Sequence, residues 1–348
     1  MVAPSESEVS ASALNAVAID DDNEAALADD VDTRAWRVGA AGHGERLDKL
    51  LVAQAGEFSR SHMQGLIERG LEQVDGVVAA SASRRLRAGQ AIVVRLEATA
   101  ESQAFTPEPM ALAIVFEDEH LLVLDKPVGL VVHPAPGHWS GTLMNGLLAH
   151  HALAATLPRA GIVHRLDKDT SGLMVVAKTL RAMTALVRAI AAREVQREYL
   201  ALAHGRLADE RSTVDAPIGR DPVSRVRMAI VAVAAGGKSA RTDVLRVAAR
   251  EGVSALRCKL HSGRTHQIRV HLASRGHPLL ADALYGGAPA LGLTRQALHA
   301  TSLRFAHPRG GHWQAFESPL PADLAPAWQA TVGATIAAIA STASGPRA

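Results

Sequence analysis

Apolar residues recur every three to four positions in two short stretches, residues 47–55 and 63–67. This spacing places the apolar side chains on one face of a helix, so each stretch predicts a helix with one buried face. Gly56 is a stop signal for the first helix, and Ser59 or Ser61 is suited to cap the second.

Short alternating segments follow these helices. The pair Asp75 and Gly76 is typical of a tight turn, and the alternation over residues 91–96 predicts a strand. The pattern therefore predicts a compact unit of two helices and a few strands over residues 35–98.

Strands dominate the pattern further along the chain. Residues 112–126 predict two apolar strands joined at 117–120, and residues 180–193 predict an amphipathic helix that buries Met183, Leu186, Val187 and Ile190. Further strands are predicted at 172–178, 198–205, 226–233, 241–248, 253–261 and 298–306, and a last helix near 323–340. Because strands and helices do not alternate strictly, we expect an α+β fold with a largely antiparallel, mixed central sheet flanked by helices.

Two segments lack a pattern that could form a core. Residues 1–34 are rich in Ser, Ala, Asp and Glu, and they bury too little apolar surface to offset chain entropy, so we expect a disordered acidic tail. Residues 99–111 contain two prolines and small polar residues and are expected to form a linker. The larger domain is therefore expected over residues 112–340.

The charge balance separates this tail from the rest of the chain. Residues 1–34 hold nine acidic side chains and one basic one, whereas the remainder holds 36 basic and 26 acidic ones. A basic body fits a polyanionic partner, although an arginine-rich composition can also follow from a GC-rich genome. The chain has a single cysteine, a start unlike a signal peptide and no apolar run long enough to span a bilayer, so we expect a cytoplasmic location without membrane association.

Two polar clusters interrupt the apolar pattern of the larger domain, at residues 161–172 and 260–271. Loops held by a rigid sheet often carry catalytic groups, but the same residue types are also common in ordinary turns. The composition of the clusters alone does not decide between these interpretations.

Neither cluster has the pattern of a cofactor site. Cys258, His261, His266 and His271 lack paired-cysteine spacing, and His266 and His271 are not on one helical face, which argues against zinc. Residues 237–239 resemble the end of a phosphate-binding loop but lack its required first glycine. We therefore expect no metal and no cofactor.

Three motifs in these regions carry a family resemblance. The chain contains HRLDKDTSGLMVVAKT at 164–179, REYLAL at 197–202 and SGRTHQIRVHLASRGHPLLADALYGG at 262–287. In these motifs it resembles the RluA-type pseudouridine synthases, over nearly all of residues 36–325. Ser262 stands where this family usually has Thr, Ala281 stands where it usually has Gly, and the segment 288–295 is shorter than in many members.

The resemblance implies a reaction and a set of site residues. These enzymes convert uridine in RNA to pseudouridine without a cofactor, and Asp167 matches their indispensable carboxylate, which acts as a nucleophile or as a base. Arg264 matches the arginine that pairs with this aspartate, and Tyr199 matches the tyrosine that lies against the target base. Arg165 matches the arginine that enters the RNA helix where the target uridine is flipped out, and His164 beside it in the first motif is expected to bind the RNA as well.

The first unit resembles the S-four-type RNA-binding domain in RLDKLL (46–51), SRS (59–61), GLEQVDG (70–76) and LRAGQAIVV (86–94). In that family the two helices present basic side chains to RNA, which implies RNA-binding roles for Arg46, Lys49, Arg60 and Arg69. Arginines on such helices are also common on purely solvated surfaces.

Within the RluA type, the chain is most similar to members that act on large-subunit (23S) ribosomal RNA. The resemblance therefore implies that ribosomal RNA or the pre-50S particle is the partner and that the enzyme works as a monomer. A synthase for transfer RNA or another ribosomal RNA site, and a non-catalytic RNA-binding factor for ribosome assembly, remain the alternatives.

Overall fold

The chain forms two compact units in the computed structural model, residues 1–99 and 100–348. The structure describes residues 32–97, 104–135, 137–224 and 226–333. Residues 1–31 of the predicted tail, residue 98 at the end of the predicted first unit and residues 99–103 of the predicted linker lie outside the described residues.

The described part of the first unit consists of an antiparallel sheet and two helices. Its strands lie in the order β1-β4-β2-β3. The elements are β1 (Asp32–Arg37), α1 (Leu47–Gln54), α2 (Arg60–Glu68), β2 (Glu72–Val74), β3 (Val77–Val78) and β4 (Ala91–Leu96). Residues 32–34, which the sequence pattern assigns to the tail, begin β1 and pair with β4, so the predicted tail boundary at residue 34 is wrong.

The local signals in this unit act as predicted. The Ser59 side chain accepts a hydrogen bond from the His62 backbone N–H at 3.2 Å and so caps α2. Asp75 and Gly76 both have positive φ, of 54° and 77°, and make the tight turn between β2 and β3. The apolar faces of the two helices pack on the sheet through buried side chains that include Leu47, Leu51, Met63 and Leu66.

The second unit is built on a mixed sheet of nine strands among its described residues. The strand order is β5-β6-β7-β14-β8-β13-β12-β9, with β15 also paired to β14, and among these described strands only β7 and β14 pair in parallel. The paired strands are β5 (Ile114–Glu117), β6 (Leu121–Lys126), β7 (Ser171–Ala177), β8 (Gln196–His204), β9 (Arg211–Asp215), β12 (Arg241–Arg250), β13 (Val253–Leu260), β14 (Leu298–Ala306) and β15 (Trp313–Glu317). The predicted α+β fold with a largely antiparallel, mixed sheet is confirmed.

Helices and one separate hairpin complete this unit. They are α3 (Leu143–His150), α4 (Leu180–Ala191), the hairpin β10 (Ile218–Arg220) and β11 (Met228–Ile230), α5 (Gln267–Ser274) and α6 (Ala325–Val332). The pattern analysis missed α3, β9, β10 and β15. It also placed Val187 inside, whereas the side chain is 45% exposed on α4, and it extended the last helix to residue 340, beyond the described residues.

Part of the predicted linker is attached to the second unit. Asn145 donates from Nδ2 to the Thr106 carbonyl at 2.9 Å, and Glu108 accepts from the Gly141 backbone N–H at 2.8 Å. Residues 104–111 are therefore fixed to the body of the second unit, which contradicts their assignment as a linker.

The close approach of β7 to β14 fixes the start of β7. Gly172 has a φ of 114°, and a Cβ atom there would lie 2.2 Å from the Ala300 carbonyl oxygen, so only glycine fits. Because β7 begins at Ser171, this contact also anchors the loop that precedes it. Among the described residues, no helix has the length and apolar character needed to cross a bilayer.

Candidate active site

Asp167 lies in the loop before β7 and faces a cavity of about 590 Å³. This volume is in the range of pockets that enclose a small ligand. Tyr199 on β8 and Arg264 before α5 line the same cavity, so the structure brings the three predicted catalytic residues together.

The guanidinium that pairs with Asp167 belongs to Arg269, not to Arg264. Arg269 donates from Nη1 to Asp167 Oδ2 at 3.0 Å. Arg264 instead donates from Nε to the Ser239 carbonyl at 3.1 Å, and its backbone N–H donates to the Gln267 side chain. The predicted pairing of Arg264 with Asp167 is therefore wrong, because Arg264 lies in the exposed loop whereas Arg269 lies on the buried side of α5.

A second carboxylate holds Arg269 in place. Asp282 accepts from both Nε and Nη2 of Arg269 at 2.8 Å, and the two side chains are 1% and 7% exposed. Burial alone would lower the pKa of Arg269, but its bonds to Asp282 and Asp167 outweigh burial and raise that pKa above its usual value. The guanidinium is thus a fixed cation that sets the direction of the Asp167 carboxylate.

Two other cations anchor the backbone of the Asp167 loop. Lys126 is fully buried, and its Nζ donates to the carbonyls of Pro127, Leu130 and Lys168 at 2.8–2.9 Å. Arg295 donates to the Asp169 carbonyl at 3.0 Å. Burial lowers the pKa of Lys126 to about 8, and the nearby charges of Asp169 and Asp167 oppose this lowering.

Tyr199 is buried at the wall of the cavity. It lies on β8 opposite Cys258 of β13 and Ala300 of β14, and only 5% of its surface is exposed. Burial raises the pKa of its phenol, so the hydroxyl stays protonated at neutral pH. Arg197 is also buried on β8, and its Nε lacks a hydrogen-bond partner among the described residues.

His164 and Arg165 have different environments although they are neighbours. His164 accepts from the Val175 backbone N–H at 3.0 Å, and burial lowers its pKa to about 3, so the ring is neutral. Its Nδ1 is buried without a partner among the described residues. Arg165 is exposed at the cavity and makes no ion pair or hydrogen bond within the described residues, so its charge is available to a ligand.

The charge of the cavity is strongly positive. Among the described residues that line it, Asp167 is the one carboxylate, against six guanidinium groups, those of Arg159, Arg165, Arg193, Arg197, Arg264 and Arg269. A concave site with this imbalance attracts a polyanion.

Asp167 also lines a second cavity, of about 770 Å³. The two cavities share the residues Arg165, Leu166, Asp167, His266 and Arg269. We call these five residues the ridge. Tyr199 lines only the first cavity, whereas Lys168 and Arg295 line only the second.

The predicted RNA-binding residues of the first unit all have acidic neighbours. Arg46 and Arg60 both donate to Asp48 at 2.8–3.0 Å, and this carboxylate is fully buried. Lys49 lies 3.8 Å from Glu45, and Arg69 lies 3.0 Å from a carboxylate in the same unit. Hydrogen bonds from Arg46 hold the pKa of Asp48 well below its usual range.

The histidines considered for zinc are dispersed. His261 bonds Asp243 at 2.6 Å, and His271 bonds Thr242 at 2.9 Å. Cys258 is buried in apolar surroundings that raise the pKa of its thiol to about 12. In the four described ranges, no group of three or more His, Cys, Asp or Glu side chains could hold a metal ion.

The sequence analysis missed Arg269, Asp282 and Lys126. Arg269 is in the same motif as Arg264, so the signal was present but the choice between the two arginines was wrong. A buried apolar strand that ends in a lysine is a detectable signal for Lys126. Asp282 has no such signal, because its partner is distant in sequence.

Comparison with known proteins gives a consistent picture. Residues 120–274 match the RNA pseudouridylate synthase family, and residues 45–92 match the S4 domain. The "Ribosomal large subunit pseudouridine synthase D" of Nitrosomonas europaea is 47% identical over 82% of this chain and 84% of its own. The proteins of the same name from Neisseria meningitidis serogroup B and Pseudomonas aeruginosa are each 45% identical over 81% of this chain, and over 77% and 90% of their own. With its Asp167 cavity and these matches, the chain belongs to the RluA family of RNA pseudouridine synthases and is an isomerase that acts on RNA.

Proposed function

We propose that this enzyme isomerises uridines in large-subunit (23S) ribosomal RNA, with Asp167 as the reacting carboxylate. The names of the relatives support the substrate, because three of them, 45–47% identical to this chain, are ribosomal large-subunit synthases. The observation that carries the catalytic role is the asymmetric environment of the carboxylate: Oδ2 is held by Arg269, whereas Oδ1 has no hydrogen bond within the described residues.

The free oxygen suits either of the two roles that the chemistry allows. The reaction breaks the bond from C1′ to N1 of uracil, turns the base, forms the bond from C1′ to C5, and moves the C5 proton to N1, so its atoms balance without a co-reactant. A nucleophile towards the ribose or the base and a base at C2′ both need one available oxygen on an ionised carboxylate. Arg269 holds Oδ2 with its fixed charge and so leaves Oδ1 for the reaction.

Other cavity residues have roles that follow from their positions. A uridine in structured RNA must leave the helix before its glycosidic bond can be reached, and Arg165 is an exposed cation beside the cavity that can take its place. Tyr199 offers a ring at the cavity wall for stacking on the base. His164 is neutral and supports the start of the motif through Val175, so its contribution is to hold Arg165 and Asp167 in position.

The remaining parts of the proposal concern the partner and its location. We propose that the S4 domain binds the same RNA through Arg46, Lys49, Arg60 and Arg69, on free ribosomal RNA or on the pre-50S particle. The enzyme is proposed to act as a monomer in the cytoplasm.

The catalytic proposal is tested by Asp167→Asn. The amide keeps the shape of the side chain but cannot act as a nucleophile or base, so we expect unchanged folding and RNA binding with no detectable pseudouridine. Asp169→Asn is the matched control in the same loop and should remain active. Substantial turnover by Asp167→Asn would refute the assignment.

The substrate proposal is tested by mapping pseudouridine in total RNA from a strain that lacks the enzyme. Loss of modified positions in 23S ribosomal RNA, restored by the wild-type protein but not by Asp167→Asn, is the expected result. Loss in transfer RNA alone would assign a different substrate.

A further inference from the structure

The oxygen of Asp167 that Arg269 leaves free faces His266. Nε2 of His266 lies 3.9 Å from Asp167 Oδ1, and the two side chains are 18% and 15% exposed. This distance is too long for a direct hydrogen bond, but a single oxygen atom can bridge the two atoms.

The hydrogen on the His266 ring is placed by Tyr285. The Tyr285 hydroxyl accepts from the Met228 backbone N–H at 3.0 Å and lies 2.8 Å from His266 Nδ1. The Asp167 carboxylate beside Nε2 favours the tautomer that carries its hydrogen on Nε2, and Nδ1 then accepts the hydroxyl hydrogen of Tyr285. Burial lowers the pKa of His266, so the ring is neutral and its one hydrogen is on Nε2, towards Asp167.

The backbone of His266 is held in an uncommon conformation. Its φ of 56° is in the left-handed region, at the residue before α5. Such a conformation costs free energy for a residue with a side chain and tends to occur where a functional side chain is aimed at a site. The edge-on packing of the His266 and Tyr285 rings, with centroids 5.6 Å apart, fixes the ring direction.

The ridge position of His266 indicates which part of a nucleotide reaches it. Tyr199 lines only the first cavity, so a base stacked there leaves its sugar over the ridge, while the strand continues past Lys168 and Arg295 in the second cavity. The sugar group next to the reacting C1′ atom is the 2′-hydroxyl, which can donate one hydrogen bond and accept another.

We propose that His266 Nε2 and Asp167 Oδ1 together hold the 2′-hydroxyl of the target ribose. The hydroxyl accepts from His266 and donates to Asp167, which orients C1′ and C2′ relative to the carboxylate. His266 is thus a substrate-positioning residue that selects ribose over deoxyribose at the target. This inference rests on the proposed role of Asp167.

The test compares two RNA fragments that carry the mapped site, one with uridine and one with 2′-deoxyuridine at the target alone. Single-turnover rates are measured for the wild type and for His266→Ala on both fragments. For each protein, the rate on the uridine fragment is divided by the rate on the 2′-deoxyuridine fragment, and this ratio is compared between the proteins. Because the intrinsic effect of the missing hydroxyl is the same for both proteins, the difference between their ratios isolates the contribution of His266. We expect a ratio about tenfold larger in the wild type, as for one lost hydrogen bond.

Two further variants separate positioning from folding. His266→Asn keeps a side chain that tolerates left-handed backbone, and it should show the same reduced ratio if the alanine variant is unstable. Tyr285→Phe removes the hydroxyl that fixes the ring hydrogen, and it should give a ratio between those of the wild type and His266→Ala.

Equal ratios in the wild type and in a folded His266 variant would overturn the inference. The failure of the proposed function is distinguishable, because it would appear as turnover by Asp167→Asn on the uridine fragment. If Asp167→Asn is inactive and the ratios are equal, only the role of His266 is refuted.

Discussion

Arg269 Nη1 donates to Oδ2 of Asp167 at 3.0 Å, although the two residues are 102 positions apart. The same guanidinium binds Asp282 through its other two nitrogens. One cation therefore connects the reacting loop to the turn that follows α5. Its planar shape makes this possible, since three donors point to two carboxylates at once.

Replacement of Arg269 by Lys should impair both catalysis and stability. An ammonium group is a single point of charge and cannot bind both carboxylates in the same geometry, so Asp167 loses its fixed direction. We expect kcat to fall on the order of 10–100-fold and the free energy of unfolding to fall by about 1–3 kcal/mol, because a buried partner is left poorly bonded. Single-turnover kinetics and thermal melting measure the two effects.

Arg264→Lys is the matched control for this prediction. Arg264 is exposed, and within the part of the chain that the structure describes its side chain bonds a backbone carbonyl alone. Its replacement should therefore leave the melting temperature unchanged and change kcat by less than threefold. An equal loss of kcat in both variants would contradict the assignment of Arg269 as the partner of Asp167.

The choice between these two arginines shows where sequence reasoning stops. Both are in the third motif, five positions apart, and either could reach a carboxylate in another loop. The structure decides between them through the direction of the chain before α5, where His266 takes a left-handed conformation and turns Arg264 out and Arg269 in. No periodic pattern encodes that turn.

Local signals, by contrast, predicted local structure well. The cap at Ser59 and the turn at Asp75 and Gly76 depend on bonds within a few residues, and both are confirmed. The helix α3 was missed although Thr142 caps it, because a mostly apolar run of eight residues is equally compatible with a buried strand. Pairings such as that of Arg269 with Asp282 depend on the complete fold and could not be predicted.

Ala281→Gly should stabilise the protein. Ala281 has a φ of 57°, a left-handed conformation that costs an alanine about 1 kcal/mol relative to glycine, part of which is offset by the greater entropy of glycine in the unfolded chain. This strain gives a physical reason for the glycine that the family usually has at this position. We expect the melting temperature to rise by about 1–3 °C, measured by calorimetry. A lower melting temperature would show that the buried Ala281 methyl group contributes more by packing than the backbone loses by strain.

Glu72→Gln should stabilise the S4 domain at neutral and higher pH. Glu72 is fully buried on β2, both of its carboxylate oxygens lack a partner among the described residues, and burial raises its pKa to about 8. Between its unfolded pKa of about 4.5 and this value, the unfolded chain ionises while the folded one stays protonated. Stability therefore falls as pH rises through this window, and the amide, which does not ionise, removes the fall.

The expected gain is several kcal/mol at pH 8 and close to zero at pH 4.5. Hydrogen exchange of the backbone amides that join β2 to β4 measures it within the S4 domain of the whole protein. A gain of the same size at both pH values would indicate better packing by the amide instead of the removal of a titration.

The S4 domain should bind RNA with Lys49 more directly than with Arg46. Lys49 is 56% exposed and lies 3.8 Å from Glu45, a weak surface pair that an RNA phosphate can replace. Arg46 donates two hydrogen bonds to the buried Asp48, so the fold needs its guanidinium as well as any RNA contact that it makes. We therefore expect Lys49→Ala to weaken RNA binding and to reduce its salt dependence by about one ion, without a change in melting temperature.

Arg46→Ala should lower the melting temperature of the domain, because Asp48 loses its strongest partner while staying buried. Fluorescence titrations at several salt concentrations, paired with thermal melts of both variants, separate the two roles. A destabilised Lys49→Ala, together with a stable Arg46→Ala that binds RNA more weakly, would contradict this assignment. The RNA contact would then lie at Arg46, and Asp48 would release the Arg46 guanidinium when RNA binds.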